Sequence, residues 1–158
     1  MIRTAAIAFL LLFAAALLPA RAEIPQPPLE TSPLAIVSGE ARHEFEVELA
    51  DDPEERRIGM MGRAALASDA GMLFDMGQPE VAGFWMKDTL IPLDLLFIHA
   101  DGTILAIAEN AVPGSLRRIS AGVPVKAVLE LNGGQAAELG IKPGDTVRHT
   151  LFGNVDGE

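Results

Sequence analysis

Residues 92–99 read "PLDLLFIH" and constrain the fold more than any other stretch. In an extended chain Leu93, Leu95 and Phe97 fall on one face, and Asp94, Leu96 and Ile98 on the other. Both faces are apolar apart from Asp94, the pattern of a central strand covered from both sides. "ADGT" (Ala100–Thr103) follows and is a hairpin signal, because Asp-Gly suits a type I′ turn. Thr103–Asn110 supplies the returning strand.

Asp94 is then a carboxylate on an apolar face. Breaking a buried ion pair costs about 3–5 kcal/mol, so it needs a partner, a proton or a wet pocket. With a two-residue turn, Asp94 lies across from Glu109; with a three-residue loop it opposes Ala108, and Glu109 is a near neighbour. In the first register the two carboxylates repel unless Lys87, Arg56, Arg63 or a bound metal neutralises them. Otherwise they share a proton, which raises one pKa and gives the kind of pair that general acid–base chemistry uses. The alternative is an ion pair that only fixes register. Asp88, in "DTLIP", reads as a turn residue.

The N-terminus has the shape of a secretory signal. A short basic start, Met1–Arg3, precedes the apolar run Ala5–Leu18, and Ala20-Arg21-Ala22 offers a small-x-small cleavage pattern. The run is shorter than the roughly 20 residues a membrane span needs. Cleavage after Ala22 removes two of the twelve basic residues and no acidic one, leaving ten against 22, or −12. A chain that acidic is a poor partner for nucleic acid or anionic lipid. The expectation is an exported protein, periplasmic or secreted, with no membrane attachment after cleavage. It has no Cys, so disulfides, thiolate ligands and Cys nucleophiles are excluded.

Residues 23–33, with four prolines, read as an extended linker. Residues 34–153 are of single-domain length, and 154–158 form a tail. In "HEFEVELA" Phe45, Val47 and Leu49 alternate with Glu44, Glu46 and Glu48, a half-buried strand. "DDPEERRIGMMGR" reads as a helix capped by Asp51 or Asp52, with Pro53 in its first turn and Gly62 ending it. Further strands are expected at Leu34–Ser38, Gly71–Asp75, Val81–Lys87, Val125–Leu131 and Thr146–Phe152. A second short helix falls in "GQAAELG", stopped by Gly140. This points to a mainly β fold, a compact antiparallel sandwich or barrel, jelly-roll-like, with two short helices.

Several chemistries find no support. His43, His99 and His149 lack metal-ligand spacing, and no HExxH or GxSxG occurs. Five mature-chain methionines could hold Cu(I), but they fall on different elements and read as core filling. "ELGIKPGDTV" resembles the tail of a PDZ domain without its carboxylate-binding loop. No cofactor or metal is expected.

"RRIGMMGR", "GMLFDM", "FWMKDTLIPLDLLFIHADGTI", "ENAVPGS", "AVLELNGG" and "LGIKPGD" occur in that order. Together they resemble the domain of unknown function 192 family over about residues 41–148. The resemblance implies a compact, mainly β fold, often exported, and brings no established activity. The family usually has Asn where this chain has Asp88, and a basic or polar residue at the Ile58 position. The positions matching its polar motif residues are Arg56, Arg63, Lys87, Asp94 and Glu109.

The expected function is a non-catalytic domain that binds a small molecule or a protein. Its polar site would lie around Lys87, Asp94 and Glu109, with Arg56 and Arg63 at the edge and Trp85 as one wall. The alternatives are a hydrolase, with Asp94 and Glu109 as acid and base and Lys87 stabilising negative charge, and a purely structural domain.

Overall fold

The computed structural model describes residues 26–155. The expected signal peptide, Glu23–Pro25 of the linker and residues 156–158 of the tail lie outside the described residues. β1 (Thr31–Ser38) and β2 (Ala41–Ala50) form an antiparallel hairpin. β1 begins three residues before the expected Leu34. Residues 26–30, though extended, are packed: Gln26 Nε2 donates to the carbonyl of Gly59 at 3.0 Å, and the Leu29 amide donates to Glu48 Oε2 at 2.8 Å.

α1 (Pro53–Ile58) starts as its sequence dictates. Asp52 accepts from the amides of Glu54 and Glu55, and the Glu55 side chain reciprocates in a capping box. It ends sooner than expected, at Gly59 rather than Gly62. Gly59 has a φ of +50, and the chain turns there so that Met60 and Met61 enter the core.

β3 (Ala70–Glu80) pairs with β2 in parallel, the one parallel pair in a sheet that is otherwise antiparallel. β4 (Leu93–Ile98), β5 (Ile104–Ala111), β6 (Val125–Asn132) and β7 (Thr146–Arg148) complete it, with the short α2 (Gln135–Glu138) between the last two. The order is β5-β4-β6-β3-β2-β1-β7. One curled sheet, a half-barrel, therefore does the work of the expected sandwich or barrel. Its edges approach where Thr103 bridges Thr146 and the Ile104 amide donates to the Asp145 carbonyl at 2.9 Å. The last strand is shorter than expected, because residues 150–152 form a 3-10 turn.

Both faces of the sheet are covered, as the alternation in "LDLLFI" requires. Leu96 and Ile98 join Leu34, Phe45, Val47, Leu129 and Val147 on the side of α2. Leu93, Leu95 and Phe97 join Met72, Phe74, Met86 and Val128 on the other. That second core is roofed by two irregular segments, residues 81–92 and 112–122. The expected strand Val81–Lys87 is one of them. It makes a single bridge, Phe84 to Ile119, because it crosses over the sheet instead of extending it.

Candidate functional site

The β4–β5 hairpin settles where Asp94 points. His99 and Thr103 close a three-residue loop, with the His99 amide donating to the Thr103 carbonyl at 2.9 Å. A bulge then restores the other register, so Leu95 opposes Ala108 and Phe97 opposes Ala106. A second bulge sets Glu109 and Asn110 together against Asp94, between the pairs Leu93–Ala111 and Leu95–Ala108. Asn110 takes a left-handed φ of +49, which Asn tolerates better than most residues.

Asp94 is fully buried and its carboxylate is saturated by main chain. Oδ1 accepts the amides of Asn110 at 2.8 Å and Gly134 at 2.9 Å, and Oδ2 accepts that of Ala136 at 2.9 Å. It joins the bulge to the start of α2, whose Gly134 (φ +86) is the turn that aims these amides. Glu109 faces solvent, so the structure does not bring Asp94 and Glu109 together as an acid–base pair. Neither does it bring Lys87 to Asp94. Lys87 Nζ lies 3.2 Å from Asp88 and 5.9 Å from the centre of the Trp85 ring. Asp88 holds a φ of +54, a backbone state open to Asp and Asn alike, so the departure from the family's usual Asn leaves the turn intact.

Arg63 belongs to a separate, half-buried network. Its guanidinium forks onto both carboxylate oxygens of Glu48, Nη2 donating to Oε2 at 2.8 Å. Glu48 is held below the usual carboxylate range: burial would raise it, but the Arg63 hydrogen bond, the Leu29 amide and the Arg63 charge together outweigh that. Beyond Arg63 lies Glu130, on the apolar face of β6. Burial pushes it up to about 8, with the Arg63 charge drawing it partly back. Its Oε2 has no hydrogen-bond partner among the described residues.

Glu130 was not among the candidates read from the sequence. The signal was present: "AVLELN" sets an acid on the same face as Val128, the argument that singled out Asp94. Its neighbours in register are Met72 and Leu95. It is 4% exposed and lines none of the surface hollows described below.

Trp85 and its neighbours form an accessible candidate surface. In the extended run 82–87, Ala82, Phe84 and Met86 turn inward, so Gly83, Trp85 and Lys87 turn outward. Phe84 is clamped edge-on by Phe74 at 5.1 Å and Phe97 at 6.4 Å, which fixes its neighbour Trp85 at the surface, 50% exposed. The second roof segment is bonded to the first. Phe84 and Ile119 exchange amides at 2.9 Å, Met86 donates to Ser115 at 2.9 Å, and Gly114 donates to Met86 at 2.9 Å. Leu116, 68% exposed, is thereby held beside Trp85.

Three open hollows follow this seam. One of about 410 Å³ runs from Ala108 and Glu109 to Arg117 and Arg118. A second, about 340 Å³, lies between Trp85, Leu116 and Arg118. A third, about 330 Å³, lies between Trp85, Glu80, Arg56 and Arg57. Arg118 is shared by the first two, and Gly83, Phe84 and Trp85 by the last two. Arg118 lies against Gly83, in space that any Cβ there would fill, and its Nη2 donates to the Val81 carbonyl at 3.2 Å. Arg56 donates to the Asp75 carbonyl at 2.9 Å and borders the third hollow. Of the six expected site residues, then, Arg56, Trp85 and Glu109 line the seam and Lys87 adjoins it, while Arg63 is half-buried against Glu48 and Asp94 lies in the interior. No cluster of metal-ligating side chains occurs among the described residues.

The DUF192 family model, described as "Uncharacterized ACR, COG1430", matches residues 35–149. The chain belongs to the DUF192 family. Two solved structures are similar to it. One is a proposed transcription regulator from Sinorhizobium meliloti 1021, at 42% identity and a TM-score of 0.78, covering 80% of this chain and 98% of that one. The other is a protein of unknown function from Novosphingobium aromaticivorans DSM 12444, at 44% identity and a TM-score of 0.75, covering 77% and 86%. No functionally curated protein matches. The DUF192 fold is thus shared along nearly the whole described chain, and the relatives bring no established chemistry to it.

Proposed function

We propose that this DUF192 protein is a non-catalytic binding domain acting outside the cytoplasm, and that it docks its ligand or partner on the seam around Trp85. The observation that carries this reading is the exposure of Trp85 and Leu116 side by side on a hydrogen-bonded roof. Seven of the eight large exposed apolar side chains among the described residues sit in residues 81–123: Val81, Trp85, Leu90, Leu105, Val112, Leu116 and Val123. Apolar surface concentrated in this way on an otherwise charged molecule is a mark of a contact site, and Trp is among the residues enriched at such contacts.

The hydrolase alternative loses its chemical basis when Asp94 is engaged by three amides and Glu109 is out in solvent. The serine–histidine contact of Ser32 and His149, 2.8 Å apart, does not replace it. His149 Nδ1 accepts the Leu151 amide at 3.1 Å, so Nε2 carries the proton and donates to Ser32 Oγ. A general base needs the opposite tautomer. The regulator description of the Sinorhizobium relative would suit this chain through protein contact rather than through DNA. The longest helix among the described residues has six residues, too short for groove reading, and the chain carries −10.

The test is fragment mapping by NMR on ¹⁵N-labelled residues 23–158. Amide shifts caused by a diverse fragment library should cluster at residues 83–87 and 112–120. Hits that cluster elsewhere, or no hits at all, would contradict the assignment.

A further inference from the structure

From the shape and charge of the seam we infer the class of its occupant: an extended segment of a partner protein, with carboxylates flanking an apolar side chain. The inference rests on the docking reading above and goes beyond it. Its ground is the way the three hollows join. They share walls in sequence, so they form a track and not a socket, and a ligand that fills them must itself be elongated.

The chemistry varies along the track. The central hollow is bounded by Phe84, Trp85 and Leu116, an apolar seat for one side chain. The hollows on either side of it carry the charge. Arg117 and Arg118 line one and Arg56 and Arg57 the other, opposed by Glu109 and Glu80. Arg57 is already forked onto Glu54, its Nε donating to Oε2 at 2.8 Å and its Nη2 to Oε1 at 2.7 Å. The lining therefore sums to +1, three arginines against two glutamates, on a chain whose net charge is −10. Lys87 and Asp88 beside it cancel. An acidic segment is repelled by the rest of the surface and attracted here, which gives orientation as well as binding. Arginine suits carboxylates because its planar fork can engage both oxygens.

The edge of the sheet adds a further reason for choosing a polypeptide. β5 is an edge strand whose outer side is met only at its start, where Ile104 bonds to Gly144 and Asp145, and Ala108 and Glu109 further along that edge open into the first hollow. A segment entering there can hydrogen-bond main chain to main chain, as strands added to a sheet edge do. A lipid surface has no such demand and would leave the hollows unfilled.

The experiment is selection of short random peptides on residues 23–158, with affinities measured on wild type, Trp85→Ala, Arg118→Glu and Gly83→Ala. Gly83→Ala displaces the Arg118 side chain while leaving its charge in place. Selected peptides should carry acidic residues around an apolar one. Each variant should weaken them by about tenfold or more, about 1.4 kcal/mol, while retaining the wild-type melting temperature. Peptides without acidic bias, or affinities unchanged in all three variants, would overturn the inference. So would binding of phosphatidylglycerol vesicles in the absence of any selected peptide, or self-association through the same face. If peptides fail while NMR fragments still gather at Trp85, the docking reading stands and only the occupant is wrong.

Discussion

Asp94 accepts the backbone amide of Asn110 at 2.8 Å, across the bulge that Asn110 itself creates. The carboxylate is thus a joint in the fold. It replaces the strand partner that the bulge removes, and through Gly134 and Ala136 it also fixes the start of α2. An acid on an apolar strand face is here satisfied entirely by main chain.

Removing that joint should be costly. A buried donor left unsatisfied costs about 1–3 kcal/mol, so Asp94→Ala, which orphans three amides, should lose at least about 3 kcal/mol. Asp94→Asn keeps one oxygen but turns an NH₂ toward an amide and should lose about 2 kcal/mol. Urea unfolding measures both. A melt like that of wild type in either variant would show that the amides do not depend on the carboxylate.

Glu130 predicts a pH dependence of opposite sign to the usual carboxylate. Its folded pKa, about 8, lies above the ordinary value of 4.5, so between those limits the folded state binds a proton that the unfolded state has lost. Stability from this group is full below about pH 4.5 and declines as pH rises towards 8. Glu130→Gln should abolish that decline and be the more stable form at alkaline pH, by a few kcal/mol. Arg63→Ala should extend the decline above pH 8 by removing the charge that opposes it. Wild type and Glu130→Gln with parallel stability profiles would refute the assignment.

His149 works in the same direction as an ordinary buried neutral histidine. Burial lowers its pKa below 6.5, so acidification protonates the unfolded chain first, and stability falls as pH drops below about 6.5. Protonation also removes the acceptor that Nδ1 offers to Leu151. His149→Gln should flatten the profile in this window. NMR titration of the imidazole with a midpoint at or above the ordinary value would rule it out.

The sequence disclosed the fold where pattern and burial agree. "LDLLFI" is buried on both faces as its alternation requires, and the Asp52–Pro53–Glu55 cap forms as written. The parallel β2–β3 pair was not legible, because α1 and the loop after it return the chain beside β2 without leaving a pattern in either strand. In the candidate site, Trp85 and Arg56 could be named but not placed. Whether Trp85 lies in or out depends on the phase of its extended segment, set by Phe84 docking between Phe74 and Phe97. Asp94 was recognised as special for a sound reason, yet the bulge that satisfies it is a tertiary event. Arg117 and Arg118 sat in a loop with no periodicity to mark them.

The central claim is that the surface around Trp85 attracts anions on a molecule that repels them. Trp85 is the sole tryptophan, so collisional quenching of its fluorescence by iodide and by caesium reads the local potential directly. At low ionic strength iodide should quench more strongly than caesium, and the preference should reverse in Arg117→Glu/Arg118→Glu. Stronger quenching by caesium in wild type, as the net charge of −10 alone would dictate, would contradict the account.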